Sequence, residues 1–375
     1  MVITILTFIV ILGILVFVHE FGHFIVAKKS GMKVDEFGFG FPPRICGIQK
    51  INGKIVFVWG HRPPNDTSKT VYSINWIFLG GFVKIVGENN ESPDEPRSFV
   101  NKPFFSRLST LVAGVLMNII LAWALLSAGY ISGLPVALDD SAQLPVGAHL
   151  RDVQVAVIDV VANSPAATAG LAPNDIITSV DGQSFSDSSG LRNYILQNAG
   201  HNFDFGVKRG KQVLNLTVAS QANPAPGSGP TGIALAQVGR LSFPWYKALG
   251  EGAKATLSEA AQIVTGLYSL FASGKGFSSL GGPVKIATLT GEVASLGFIY
   301  LVQFTAFLSL NLAILNILPI PALDGGRVMF LIIEKIRGKS NNQKMEQLAN
   351  TLGFSLLLLL MLAVTIHDVI RIFHH

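Results

Sequence analysis

Four long apolar runs dominate the chain, at residues 2–27, 108–134, 298–318 and 352–372. Each is close to the ~20 residues that a helix needs to cross the hydrocarbon of a bilayer, so four transmembrane helices are predicted. The intervening segments follow other rhythms. Residues 34–87 carry strand-like stretches such as Ile55-Val56-Phe57-Val58-Trp59 and Phe82-Val83-Lys84-Ile85-Val86, punctuated by Gly38, Gly40, Gly53, Gly80, Gly81 and Gly87. β-Branched and aromatic runs broken by glycine predict a small sheet, which suits either the membrane surface or an ordinary cytoplasmic hairpin loop. Residues 153–220 read as one compact α/β module: strands at 155–161, 176–180, 203–207 and 213–218, a helix near 189–198, and turns at Asp181-Gly182 and Arg209-Gly210. Residues 135–152 read as a linker, as do the Pro-, Gly-, Ala- and Ser-rich residues 221–230, and an amphipathic helical region follows to residue 297. No segment repeats.

Composition turns this pattern into a class. Of 375 residues 49% are hydrophobic and only 14% charged, which marks an integral membrane protein with a soluble part. The single cysteine, Cys46, excludes an internal disulfide framework and a thiolate zinc cluster, leaving any metal to His and carboxylate ligands. A net charge of +5 comes without a basic stripe interleaved with aromatics, so nucleic acid is not expected as a partner. The charge sits instead at the span ends. Lys28, Lys29 and Lys33 follow the first span, Lys102 and Arg107 precede the second, and Arg327, Lys335, Arg337, Lys339 and Lys344 separate the third from the fourth. The positive-inside rule makes those loops cytoplasmic and puts both termini and residues 135–297 outside. With no basic region before it and no small-residue cleavage pattern after it, the first run reads as a retained span.

The first span also carries the chemistry. His19-Glu20-Phe21-Gly22-His23 puts two histidines at i and i+4, on one helical face, where both can grip one metal. Glu20, one residue off that seam, is placed to act as a base rather than to ligate, the division of labour in zinc peptidases. Ionisable groups at mid-helix in hydrocarbon cost about 2.5–3.5 kcal/mol each on insertion scales, so three on one span need a compensating use; the alternative is a pair of interfacial histidines. A catalytic zinc takes three protein ligands, and the one carboxylate at the end of another span is Asp324, in Asn316-Ile317-Leu318-Pro319-Ile320-Pro321-Ala322-Leu323-Asp324-Gly325-Gly326. Two prolines interrupt that helix, which membranes tolerate only beside protein or a water-filled cavity. Taken alone, the segment fits a third ligand and a solvated Pro/Gly turn equally well.

The HExxH of the first span together with Asn316-x-x-Pro319-x-Pro321-x-x-Asp324-Gly325 resembles the site-2 protease family of intramembrane zinc metalloproteases, in its bacterial RseP-type branch (regulator of sigma-E protease). The resemblance runs through Phe37-Gly38-Phe39-Gly40-Phe41, Leu79-Gly80-Gly81-Phe82-Val83-Lys84, Asn101-Lys102-Pro103-Phe104 and Ala113-Gly114-x-x-x-Asn118. The 153–220 module is similar to the extracytoplasmic PDZ domain of that branch through Asn163-Ser164-Pro165-Ala166-Ala167-x-Ala169-Gly170-Leu171 and Asn174-Asp175-Ile176-Ile177. One copy is present where the enterobacterial member has two, and the proline that often follows the glycine of Ala113-Gly114 is absent.

The resemblance implies a polytopic α-helical membrane protein of about four spans, with a membrane-associated β-sheet and one extracytoplasmic PDZ-like domain. It implies that His19, His23 and Asp324 hold zinc and that Glu20 is general base and acid. It also implies that Asn316, with Asn311, Pro319 and Pro321, handles substrate. The expected activity is regulated cleavage of single-span membrane proteins, such as anti-sigma factors or remnant signal peptides, in or near their own transmembrane helix. The expected location is the bacterial cytoplasmic (inner) membrane, with the active site near the cytoplasmic side. Two competing readings are a membrane-anchored PDZ adaptor with a structural metal site and a metal transporter. The intact Glu20 weighs against the first. The shortage of other intramembrane carboxylates weighs against the second.

Overall fold

The computed structural model describes residues 2–60, 62–64, 66–88, 92–138, 144–210, 212–224, 229–273, 281–339 and 342–373. The chain divides into two compact units. One comprises residues 1–126, 252–294 and 301–375, the other residues 127–251 and 295–300.

Four helices of the described residues are long and apolar enough to cross a membrane: α1 (Val2–Lys29), α2 (Phe104–Ser132), α7 (Phe298–Ile317) and α9 (Gln343–Phe373). Val2, Ile3, Leu6, Val10 and Ile14 on α1, and Leu352, Leu356, Leu359 and Leu360 on α9, are exposed, as side chains facing lipid must be. Residues 327–351, read from the sequence as a loop, are mostly helical. They hold most of α8 (Asp324–Arg337), which ends at Gly338 in the left-handed conformation (φ 63°), and the polar start of α9. Leu331 of α8 is buried, so its apolar stripe is short and amphipathic and gives no membrane-span signal.

The first unit also contains a three-stranded sheet, β1 (Val34–Ile51), β2 (Lys54–Trp59) and β3 (Val71–Ile85), in the order β2-β1-β3. Asn52 (φ 49°) and Gly53 (φ 79°) make the β1–β2 turn, the Asn-Gly pair suited to a two-residue hairpin. β1 bends between Phe41 and Arg44, so both its halves pair with β3: Phe37 lies opposite Val83, and Gly47 opposite Ser73. Gly80 (φ 111°) and Gly81 let β3 touch α1; a Cβ at Gly80 would lie 2.5 Å from Cβ of Val16. Ile48, Ile55, Phe57, Trp59, Ile74 and Trp76 of this sheet stay exposed. A buried cluster of Ala27, Met32, Val34, Ile85, Phe99, Leu111 and Leu331 joins the ends of α1, β1 and β3 to α2 and α8. Arg107 of α2 clamps Glu334 of α8 with two parallel hydrogen bonds of 2.8 and 3.0 Å.

The second unit is a six-stranded antiparallel sheet with two short helices. Its strands are β4 (Leu134–Leu138), β5 (His149–Val160), β6 (Ile176–Val180), β7 (Asn202–Arg209), β8 (Gln212–Ala219) and β9 (Ile233–Ser242), in the order β4-β9-β5-β6-β7-β8. Helices α3 (Pro165–Thr168) and α4 (Ser188–Gln197) are capped by Ser164 and Asp187. Val157, Val180, Leu191, Phe203, Phe205 and Val207 are among its buried core. The unit is larger than the 153–220 module read from the sequence. β4 and the start of β5 lie in the expected 135–152 linker, and β9 lies in the segment expected to hold linker and helix. β9 is broken by Gly239 and Arg240 and has no clean alternation; pairing with β5 and β4, distant in sequence, makes it a strand. Of residues 221–230, 225–228 lie outside the described residues. Helices α5 (Trp245–Ser273) and α6 (Pro283–Leu296) follow β9.

Candidate metal centre

α1 carries His19 and His23 one turn apart, both buried, with ring centroids 4.8 Å apart in an edge-to-face arrangement. Their Nε2 atoms are 3.2 Å apart. Asp324, at the start of α8, brings Oδ2 to 2.9 Å from Nε2 of His19 and 3.3 Å from Nε2 of His23. Among the described residues these three form the one cluster of His, Cys, Asp and Glu whose ligand atoms converge this closely.

Two observations show that zinc fits the cluster. Ligands about 2.0–2.1 Å from a tetrahedral centre lie about 3.3 Å from one another, and the three separations here are 2.9, 3.2 and 3.3 Å. Oδ2 of Asp324 is also enclosed and lacks any hydrogen bond of acceptable geometry despite its nearness to both rings. Two imidazole nitrogens and a carboxylate oxygen converging on one point, with the carboxylate oxygen otherwise unpaired, form a donor set suited to a cation.

α2 builds the wall behind the histidines. Thr110, Gly114 and Asn118 stand at i, i+4 and i+8, one stripe of that helix. A Cβ at Gly114 would lie 2.8 Å from Nε2 of His19 and closer still to Nε2 of His23, so only glycine admits both rings. Nδ1–H of His23 donates to the Thr110 carbonyl at 2.7 Å, which leaves its Nε2 with a lone pair for a metal. Nδ1 of His19 faces the carboxamide of Asn118, with Nδ2 at 3.4 Å.

The chain reaches Asp324 through a break in helix structure. α7 stops at Ile317, residues 318–323 form turns, and Ala322 takes the left-handed conformation (φ 79°) while its N–H donates to Oδ1 of Asn350. Gly325 and Gly326 pack against the carbonyls of Ile317, Leu318 and Ile320, where a Cβ would collide. An aspartate in the first turn of α8 is also favoured by the helix dipole. Arg327, one turn on, pairs with Glu88.

The remaining candidates differ in placement. Glu20 is half-buried and has no hydrogen bond or ion pair among the described residues. Asn311 donates from Nδ2 to the Phe307 carbonyl (2.9 Å), a bond within its own helix. Asn316 is half-buried at the end of α7; Pro319 is exposed and Pro321 half-buried, both in the break. Thr110, Gly114 and Asn118 carried no role in the sequence reading. The Gly114-x-x-x-Asn118 spacing is the one signal for the last two, and nothing in the sequence marks Thr110.

Residues 7–360 match Peptidase family M50. The chain belongs to this family. Among M50 relatives it is 31% identical to the regulator of sigma-W protease RasP of Bacillus subtilis, with 99% of each chain covered. It is 28% identical to the zinc metalloprotease RasP of Geobacillus kaustophilus, with 99% of this chain and 98% of that one covered. Over 22% of its length, and 92% of the other chain, it is also similar to the PDZ domain of an SdrC-like protein from Listeria innocua, at 30% identity and a TM-score of 0.20. The chain is thus an M50 zinc metalloprotease, and its apolar helices make it a membrane protein.

Proposed function

We propose that His19, His23 and Asp324 hold the zinc of an intramembrane endopeptidase and that Glu20 is its general base and acid. The observation that carries this reading is the convergence of three enclosed ligand atoms, contributed by two different helices, on one point, with Glu20 next in sequence to His19. Zinc held by these three side chains would supply Lewis acidity there, making an attacking water more acidic and the scissile carbonyl more electrophilic. Glu20 removes a proton from the attacking water and delivers it to the leaving amine. The Asn316 amide donates to the substrate backbone or to the developing oxyanion, and Pro319 and Pro321 keep residues 318–323 out of a regular helix.

The substrates are single-span membrane proteins, anti-sigma factors and remnant signal peptides among them. A helical substrate hides its carbonyls in internal hydrogen bonds and must unwind before attack. Edge addition to the β2-β1-β3 sheet receives the unwound strand, and the exposed apolar side chains of that sheet associate with the bilayer. The PDZ-like unit lies outside the cytoplasm with both termini and screens substrates by the size of their outer domains. Cleavage of a model transmembrane substrate by detergent-purified wild type and Glu20→Gln, side by side with metal analysis, tests this. Wild type cuts; Glu20→Gln holds zinc and does not. Equal cleavage by both would overturn the assignment.

A further inference from the structure

Asn118 is fully buried, and its Oδ1 has no hydrogen-bond partner among the described residues. A buried carbonyl-type oxygen left unpaired costs about 1–3 kcal/mol, so its position needs a reason. Its backbone is fixed: the Ser309 hydroxyl of α7 donates to the Asn118 carbonyl at 2.7 Å. Its side chain meets one titratable group, the outer nitrogen of His19, at 3.4 Å from Nδ2.

That contact conflicts with a ligand role. An Asn118 N–H directed at Nδ1 requires a bare Nδ1, which puts the ring proton of neutral His19 on Nε2, the atom facing His23 and Asp324. The other ligand shows the opposite arrangement. Nδ1–H of His23 donates to the Thr110 carbonyl, and its Nε2 is bare. Thr110 and Asn118 stand one turn to either side of Gly114, so each histidine has one oxygen-bearing partner on the same stripe of α2. The two ends of a carboxamide are nearly isosteric, and a half-turn exchanges them.

We propose that Asn118 is the positioning residue of His19: its carboxamide turns so that Oδ1 accepts from Nδ1–H and fixes the tautomer whose Nε2 ligates zinc. The inference rests on His19, His23 and Asp324 being the zinc ligands. It adds that α2, which contributes no ligand, sets the protonation of both histidines.

The test is the zinc affinity of the full-length, detergent-purified chain, measured by competition with a chromogenic chelator, for wild type, Asn118→Leu and Asn118→Asp. Leucine has similar volume and no acceptor, and is expected to weaken zinc binding about tenfold to a hundredfold, the usual cost of losing such an outer partner. Aspartate keeps an acceptor oxygen and is expected to restore affinity to near the wild-type value. A role in packing alone would predict the reverse order, because it needs no acceptor and a buried carboxylate disturbs the core more than leucine does. Wild-type affinity in Asn118→Leu, or equal loss in both variants, overturns the proposal. Failure of wild type itself to bind zinc would instead refute the ligand assignment. If the variants do not fold, nitrogen NMR of the [15N]histidine-labelled, zinc-loaded wild type decides. A His19 Nδ1–H shifted downfield like that of His23, as a proton held by an acceptor oxygen is, is expected, and a His19 Nδ1–H without that shift overturns the idea.

Discussion

At the scale of single residues, the proposed site separates holding a metal from moving a proton. Glu20 is adjacent in sequence to one ligand but shares no bond with any of the three, so its removal and the removal of a ligand should have different signatures. Glu20→Gln is expected to lower the cleavage rate by about 10²–10⁴-fold, the range for a lost general acid or base, with zinc stoichiometry unchanged. Asp324→Ala is expected to lose zinc and activity together, because two imidazoles alone complete too little of the coordination sphere. Metal analysis of the two purified variants checks both; stoichiometric zinc in Asp324→Ala would place the third ligand elsewhere.

At the scale of elements, close helix contacts through glycine hold the geometry. Gly325 lies against the carbonyls of Ile317 and Leu318, so a methyl group there must push the start of α8, and Asp324 with it, away from α7. Gly325→Ala should therefore lower zinc affinity although it touches no ligand atom. Gly266, on α5, has open space around it, and Gly266→Ala should leave zinc unchanged while adding up to about 1 kcal/mol of helix stability. Chelator competition on the two variants distinguishes a specific effect of position 325 from a general effect of glycine replacement. The Arg107–Glu334 clamp acts in the same sense, holding α8 to the helix that supports the histidines.

At the scale of the whole molecule, the second unit can be removed cleanly only at its true borders. Deleting residues 153–220 would cut through β5 and strand β4 and β9 without their sheet. Residues 134–242 are the better choice, because Leu134 pairs with Leu241 and the N–H of Phe243 donates to the Tyr130 carbonyl, so a short flexible linker spans the ends. The expected result is continued cleavage of substrates already trimmed outside, with new cleavage of substrates that keep bulky outer domains. Loss of trimmed-substrate cleavage in a folded, zinc-loaded deletion would make the unit a required receptor. The proposed orientation is tested in a Cys46→Ser background: an impermeant thiol reagent applied from outside should label a cysteine at position 187 but not one at 339. The reverse pattern would put the PDZ-like unit in the cytoplasm.

Local regularities in the sequence determined much of this protein. Runs of about 20 apolar residues specify the spans, because in hydrocarbon a helix must satisfy its own backbone. The i, i+4 spacing alone puts His19 and His23 on one face, and glycine-punctuated β-branched runs specify the sheet of the first unit. What no local pattern carries was decided by the tertiary structure. Asp324 reads equally as a third ligand or a solvated turn in the sequence; the break after α7 and the close packing of Gly325 and Gly326 put its Oδ2 2.9 Å from Nε2 of His19, 305 positions away (324 − 19), and no local pattern carries that proximity. The support from Thr110, Gly114 and Asn118 was invisible for the same reason, since a span that is apolar all round has no polar–apolar period to mark which side meets the site. β4 became a strand only by pairing with β9, and β9 by pairing with β4 and β5, because the free energy of a sheet lies in partners that the sequence separates by about 100 positions.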